Sequence, residues 1–295
     1  MNSEDIILTS GENIFQKAEF SPNDKMIDYE TSANFNYREI LSVVKGLGVM
    51  SEFYDVKAAC TVRNGNLCAS ALGQSAADAV QKVVDSDPID YINSVVVLSC
   101  EVDSETAKFF KETNLVAATG FTKKALEIFE LRKIRYITVK TPLKDYKKYL
   151  SNDVKVTPLG TLTETPNLSE LDKDNFKVVS KTKPDVEQIE DAVFAWKVAK
   201  YCRSQAIVIA KNLKTNAISQ GLNGASVEYA LDYSCDMSKE AVLASDMSIT
   251  VHDVDTAAQG RIGLIIVPFA DKNIINQADK YSIALITTGF ENLLI

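Results

Sequence analysis

Short runs of β-branched and other apolar residues alternate with amphipathic stretches along almost the whole chain. The apolar runs predict strands over residues 56–62, 94–99, 115–118, 135–139, 176–180, 206–211, 241–244, 263–267 and 283–287. Several of them, such as Val95-Val96-Val97-Leu98 and Leu264-Ile265-Ile266-Val267, are apolar without alternation. Strands covered on both faces read this way, so helices are expected on both sides of the sheet. Between the runs, apolar residues at helical spacing predict helices over 37–47, 74–84, 104–112, 122–131, 187–203, 225–233 and 273–280. In 187–203, Ile189, Ala192, Val193, Trp196, Ala199 and Cys202 form one stripe. Asp185 and Gln188, just after Pro184, read as a capping box ahead of it. Strands alternating with helices place the chain in the α/β class.

Residues 143–183 break this rhythm. They carry Pro158 and Pro166 around Thr161-Leu162-Thr163-Glu164, then Glu170-Leu171-Asp172-Lys173-Asp174, and are polar and turn-rich. They read as a connection between a first α/β unit, residues 1–142, and a second, residues 184–295. Both units run strand, helix, strand. The repeat lies in the pattern and not in the residues.

Composition narrows the function classes. The length of 295 residues suits about two domains, and 46% hydrophobic residues supply a sizeable core. With 40 acidic and 32 basic side chains the net charge is -8, which argues against nucleic acid as a partner, since phosphate binding needs clustered Lys and Arg. A single histidine, His252, excludes metal sites built from several histidines. Cys60, Cys68, Cys100, Cys202 and Cys235 are odd in number, widely spaced and free of any C-x-x-C, which points to free thiols in a reducing compartment. The acidic start, Met1-Asn2-Ser3-Glu4-Asp5, carries no signal core, and no apolar run approaches ~18 residues. A cytoplasmic protein without a membrane partner is expected.

No motif announces a reaction by itself. Gly11-Glu12-Asn13 lacks phosphate-loop spacing. Gly221-Leu222-Asn223-Gly224-Ala225-Ser226 opens a helical pattern whose free N–H groups suit a phosphate, and a plain turn with an N-terminal cap is the simpler account. Arg63-Asn64-Gly65-Asn66 ends an apolar strand, where α/β ligands bind, and Asn-Gly is also a favoured tight turn. Asp246 and Asp253 flank a segment containing His252. A His–Asp pair suits acid–base work, but no serine or cysteine motif accompanies it, so a solvent-facing turn histidine is the preferred reading.

A resemblance enters at Asp191-Ala192-Val193-Phe194-Ala195-Trp196-Lys197-Val198-Ala199-Lys200 and continues through Ser204-Gln205-Ala206-Ile207-Val208-Ile209-Ala210-Lys211. This resembles the "AWKVxKxxKSNAIVxAK" helix and strand of the AICAR transformylase domain of the bifunctional transformylase and IMP cyclohydrolase family. Gly11-Glu12-Asn13-Ile14-Phe15-Gln16 looks like its "GENPHQ", Asn66-Leu67-Cys68-Ala69 like "NPCG", and Asp87-Pro88 like "DP". Ala244-Ser245-Asp246 with Asp253 is similar to "ASDAFFPFxD", and Ala278-Asp279 with Thr288-Gly289 to "AAD…TG". The segments agree in order over nearly the whole chain.

The resemblance implies two duplicated cytidine-deaminase-like α/β/α subdomains without zinc or other metal. It implies a homodimer with sites near the subunit interface, an AICAR- or IMP-like nucleotide as ligand, and 10-formyltetrahydrofolate as formyl donor. Because the chain starts just before "GEN", cyclohydrolase activity is not expected. The catalytic positions fall on Arg63, Asn64 and Asp253. The substrate positions fall on Gly11, Glu12, Asn13, Asn66, Gln205, Gly221, Asn223 and Asp246.

Several of these positions depart from the family. Its Lys-His pair in "KHxNPCG" is Arg63-Asn64, its Arg-Tyr before "GEN" is Thr9-Ser10, and its "SN" is Ser204-Gln205. "GQMSR" is Gly221-Leu222-Asn223-Gly224-Ala225, "AFFPF" is Met247-Ser248-Ile249-Thr250-Val251, and "SAFGG" is Ile89-Asp90-Tyr91-Ile92-Asn93. "QPGGSxRD" gives way to Val267-Pro268-Phe269-Ala270-Asp271-Lys272-Asn273, and the closing "RHFxH" to Phe290-Glu291-Asn292-Leu293-Leu294. The scaffold matches while the chemistry departs. Three readings stay open: a divergent transformylase using another base, an inactive member that binds a purine-pathway nucleotide, is regulatory or pairs with an active paralogue, and the same scaffold with a new ligand.

Overall fold

The computed structural model describes residues 5–22, 25–32, 34–171 and 176–295. Asp172, Lys173 and Asp174 of the expected connection, and Met1 to Glu4 of the acidic start, lie outside the described residues. Most of the apolar runs join one sheet. Its strands are β1 (Tyr29–Thr31), β2 (Ala58–Arg63), β3 (Asn66–Leu72), β4 (Val95–Leu98), β5 (Leu115–Ala118), β6 (Arg135–Val139), β7 (Lys177–Val178), β8 (Ile207–Lys211), β9 (Lys214–Ser219), β10 (Val242–Ser245), β11 (Leu264–Val267) and β12 (Ala284–Thr287). Their spatial order is β7-β12-β11-β10-β8-β9-β3-β2-β4-β5-β6-β1.

That order has the same plan from either edge inward. An antiparallel edge strand, β1 or β7, is followed by three mutually parallel strands and then an antiparallel hairpin. Each hairpin carries a register shift, next to Thr61 in β2 and next to Ile209 in β8. Each also turns through two left-handed residues, Asn64-Gly65 and Asn212-Leu213, as a two-residue hairpin of matching twist requires.

The helices are α1 (Tyr37–Ser51), α2 (Ala76–Ser86), α3 (Pro88–Tyr91), α4 (Lys123–Arg132), α5 (Val186–Ala199), α6 (Ser226–Ser234), α7 (Val251–Gln259) and α8 (Lys272–Lys280). They cover both faces of the sheet, as the unbroken apolar strands imply. Side chains alternate between the faces with the strand period of two. Val95 and Val97 share one core with Val208, Ala210, Val242 and Ala244 beneath α1 and α5. On the other face the core is split. Val96 and Leu98 pack with α2 and α4, while Ile207, Ile209 and Leu243 pack with α6, α7 and α8.

α5 starts at the expected capping box, with Gln188 N donating to Asp185 Oδ1 at 2.8 Å and Asp185 N to Gln188 Oε1 at 3.1 Å. It is buried over more than the expected stripe, since Phe194, Ala195 and Val198 are covered as well. Trp196 meets Phe290 edge to face at 5.7 Å.

The two half-sheets meet where β9 pairs with β3, at Lys214 opposite Ala71. Beside it, Leu72 N donates to Leu213 O at 2.9 Å. The next rung is closed by a side chain. Thr215 Oγ1 accepts from Ser70 N at 3.0 Å and donates to Ser70 O at 3.2 Å. On the helical face, Glu52 at the end of α1 receives Lys200 Nζ (3.2 Å), Lys147 Nζ (3.1 Å) and the Tyr201 hydroxyl (3.0 Å). Burial pushes the Glu52 carboxyl up, but Lys200 and Lys147 together hold it below the ordinary carboxylate value. Gly48 of α1 is closed in by Tyr201, whose ring would lie 2.5 Å from an added Cβ.

Four expectations need correction. The helix over 104–112 is a single 3-10 turn, Thr106–Phe109. Asp103 caps it, and Tyr91 Oη and Arg132 Nη1 occupy the carbonyls of Phe109 and Lys108 that a continuing helix would use. Strands β3 and β9 were not expected, because Ala and Ser dominate one and Lys, Asn and Thr the other. Helix α7 was not expected either, so His252 sits in its first turn and not in a loop. Within 143–183, Asp153–Thr157 and Gly160–Glu164 form a separate antiparallel hairpin.

Thr215→Val keeps the shape of the buried side chain and removes both bonds to Ser70. A loss of about 1–3 kcal/mol is expected, measured as a lower urea midpoint at unchanged slope.

Candidate functional site

The hairpin turn of β2 and β3 presents Arg63, Asn64 and Asn66 at one end of the sheet. Asn64 (φ 50°) and Gly65 (φ 76°) are left-handed, a conformation Asn tolerates and Gly adopts freely. Gly65 N donates to Ser42 Oγ at 3.0 Å, and Ser42 Oγ donates to Arg38 O at 2.7 Å, which moors the turn to α1. A shallow cleft of about 270 Å³ opens here between the start of α1, the turn, and Asn93 and Val95 at the head of β4.

The Arg63 guanidinium does not stand free in that cleft. Its Nη1 lies 2.5 Å from Asp90 Oδ1. Asp90 is placed by Asp87, whose carboxylate caps α3 by accepting from Asp90 N at 2.9 Å. Sequence reasoning gave Asp90 no role. Its one signal was that it replaces a residue of a glycine-rich segment. Cys68 follows on β3, its thiol pushed up to about 12 by burial and then by Asp90 and Asp87, so it is no nucleophile near neutral pH. Cys202 is likewise pushed up to about 12, chiefly by burial.

The Gly11-Glu12-Asn13 segment closes on itself. Gly11 N donates to Gln16 O at 2.9 Å, and Asn13 N and Nδ2 donate to Gln16 Oε1 at 2.8 and 2.9 Å. Tyr37 N, at the head of α1, donates to Ser10 O at 3.2 Å. The loop therefore adjoins the same helix start that borders the cleft.

Gln205, Gly221 and Asp246 come together at the start of β8. Asp246 is fully buried. Its Oδ2 accepts from Ser204 Oγ at 2.6 Å and its Oδ1 from Ala206 N at 2.8 Å. Ser204 Oγ in turn accepts from Leu294 N at 2.9 Å, and Asn292 N reaches Asp246 O at 3.3 Å, so one carboxylate ties β8 to the chain's last residues. Gly221, at φ 72°, donates its N–H to Arg203 O and Gln205 O at 3.1 and 3.2 Å. Gln220 bridges this group to the first half, with its Nε2 on Leu67 O at 2.8 Å and its Oε1 accepting from Arg203 N at 3.1 Å.

Asp253 stands apart from both groups in its contacts. Its Oδ2 accepts from Thr250 N at 2.7 Å and Thr250 Oγ1 at 2.8 Å, a capping box at the head of α7. The side chain of Asn223 lies outside the described residues. His252 is exposed, 3.4 Å from Glu228, and both border a larger cleft of about 540 Å³ beside α6 and α7 that holds none of the expected site residues. Among the described residues, no cluster of His, Cys, Asp or Glu is arranged to hold a metal ion, and no helix is long and apolar enough to cross a membrane.

Burial raises the Asp246 carboxyl above the ordinary carboxylate value. A raised folded value means its contribution to stability is full below the unfolded value of about 3.9 and declines as pH rises through the folded one. Asp246→Asn is expected to flatten that decline in a stability–pH profile. Asp246→Ala, which leaves Ser204 and Ala206 without their acceptor, is expected to lose about 1–3 kcal/mol in urea unfolding.

Comparison with known proteins points to one family. The profile of the AICARFT/IMPCHase bienzyme family matches residues 3–227. A bifunctional purine biosynthesis protein PurH from Anoxybacillus flavithermus is 31% identical over 298 residues, covering 96% of this chain and 58% of the relative. PurH proteins from Caldicellulosiruptor saccharolyticus and Fusobacterium nucleatum are each 32% identical, covering 97% and 94% of this chain and 58% and 56% of their own lengths. The chain thus spans somewhat over half the length of these relatives.

Proposed function

The chain belongs to the AICARFT/IMPCHase bienzyme family, and on that premise we propose that it is a divergent member of the AICAR formyltransferase part that binds a purine-pathway nucleotide while formyl transfer is lost or strongly impaired. The observation that carries this reading is the ion pair of Arg63 with Asp90 at the position of the family's Lys-His pair.

Formyl transfer needs two things at the amine. A base must take its proton as nitrogen attacks the formyl carbon, and a donor must stabilise the oxyanion that forms. Asn64 cannot accept and hold a proton near neutral pH, and Arg63 stays charged. Arg63 is suited to the second task, but Asp90 already holds the guanidinium. Loss of a positioned base alone costs about 10²–10⁴ in rate.

The matching strand order of the two half-sheets supports reading them as two copies of a cytidine-deaminase-like unit. The homodimer implied by the resemblance has its own support. The hairpin Asp153–Thr157 with Gly160–Glu164 leaves Val154, Val156 and Leu162 exposed, at 55%, 84% and 63%. A two-stranded hairpin is marginal in water without cover, and a second copy supplies it.

With AICAR and 10-formyltetrahydrofolate, turnover is expected at least about 10² below that of an ordinary member. Turnover nearer than that overturns the loss of chemistry. AICAR near 100 times its Kd is expected to add about 2.7 kcal/mol, read as a thermal shift of several degrees. Without a shift from AICAR, IMP or folate, a new ligand replaces this reading. Arg63→Lys with Asn64→His and Asp90→Gly is expected to recover measurable turnover. Sedimentation should find a dimer, and Val156→Asp with Leu162→Asp should shift it toward monomer.

A further inference from the structure

We propose that the apolar cavity between α1, the β1–β6 edge of the sheet and the N-terminal hairpin is a second ligand site, and that it takes a neutral aromatic molecule of one or two fused rings with a single hydrogen-bonding group. The cavity shares no lining residue with the Arg63–Asn64 cleft, and the proposal does not depend on what that cleft binds.

α1 presents Ile40, Val43, Val44 and Leu47 to the cavity. At this spacing the four side chains lie on one face of the helix. The facing wall is the sheet edge. Val139 and Ile137 of β6 stand opposite Tyr29 and Thr31 of β1, and opposed residues of an antiparallel pair share one face of the sheet. The third side is closed by Ile6–Ile7 paired with Glu19–Phe20, from which Ile6 and Phe20 reach the cavity. These walls leave about 220 Å³. The floor continues the main core, where Val43, Leu47, Ile137 and Val139 are buried together. The mouth lies by Val44 and Met26, 49% and 39% exposed.

No charged side chain lines the cavity, in a chain where charged residues make up 24%. Phosphates, carboxylates and ammonium groups are therefore excluded, since each would be buried without a counter-charge. Three aromatic rings, Phe20, Tyr29 and Phe35, line the space from three separate segments. Rings placed around an apolar space favour an aromatic guest, met edge to face or offset. Volume sets the guest's size. A cavity of roughly 150 Å³ lined by Leu, Ile and Phe stays dry and holds benzene, so this larger one has room for a second fused ring. A helix, about 10–12 Å across with its side chains, is too wide to enter. The Tyr29 hydroxyl has no hydrogen bond among the described residues, and burial pushes it above the ordinary tyrosine value. It offers the guest one polar contact in an otherwise apolar wall.

The test is calorimetric titration of the full chain with three probes: indole, indene, which has the same shape without the N–H, and benzoate, which carries a charge. Indole is expected to bind, indene about three- to tenfold more weakly, the range for one neutral hydrogen bond, and benzoate not at all. Tyr29→Phe should bring indole down to the level of indene. Val44→Trp fills the mouth from an exposed position. It should abolish binding of both indole and indene with a urea midpoint no lower than wild type. AICAR should not displace indole. Absence of indole binding by wild type overturns the site, and benzoate bound as tightly as indole overturns the apolar class. Unchanged binding in Val44→Trp, or displacement by AICAR, overturns the location. Equal indole affinity in wild type and Tyr29→Phe overturns the polar contact. A wild type that binds no indole and a Val44→Trp variant that loses its dimer assign the cavity to a contact between copies instead.

Discussion

Two half-sheets, each ending on a strand with an unpaired row of N–H and C=O groups, must be joined edge to edge, and a threonine hydroxyl completes the joint. A bare sheet edge is an open template for other chains. Here β3 and β9 close each other's edges at Lys214 and Ala71, and the next contact, at Ser70, is made by a side chain. Thr215 Oγ1 serves as donor and acceptor to the one residue at once. With the edges closed, α1 and α5 share a core, Glu52 draws Lys147 and Lys200 together, and the two groups of candidate site residues are held in one frame through Gln220.

Within that frame the two chemical departures are linked. The resemblance marks Arg63 and Asp90 as positions that differ from the family's motifs, and the fold places the two side chains in contact. A half-exposed ion pair adds little to stability. Its effect is on availability, because it occupies the cation that would otherwise face the cleft. The second group is different in kind. Asp246 accepts from Ser204 and Ala206 and fixes backbone, so its presence says that the strand start and the chain's end are positioned, whatever the cleft binds.

Much of this was legible in the sequence, for definite reasons. Val95-Val96-Val97-Leu98 and Leu264-Ile265-Ile266-Val267 are apolar at every position because both faces are covered, and such runs do not need context to be recognised. β3 and β9 escaped notice because their partners lie elsewhere in the chain: Ala71 pairs with Lys214, and Ser70 meets Thr215, on a strand that starts more than a hundred residues later. α7 was hidden because Asp253 and Thr256, two of its buried residues, are polar. The same applies to the cleft. Arg63 and Asn64 stood out through the resemblance, but Asp90 lies 27 residues away and only the folded chain shows that it takes the guanidinium.

The two hairpin turns, alike in backbone, differ in what holds them. In the second half Leu213 sits at φ 55°, a costly place for a leucine. Asp191 secures it by accepting from Asn212 N at 2.9 Å and Leu213 N at 2.6 Å. In the first half Gly65 fills the same place, and a Cβ there would meet nothing within 4 Å. That turn is held through its backbone alone, by Gly65 N on Ser42 Oγ. The two turns are thus moored to the same helical layer, one through a hydroxyl of α1 and the other through a carboxylate of α5.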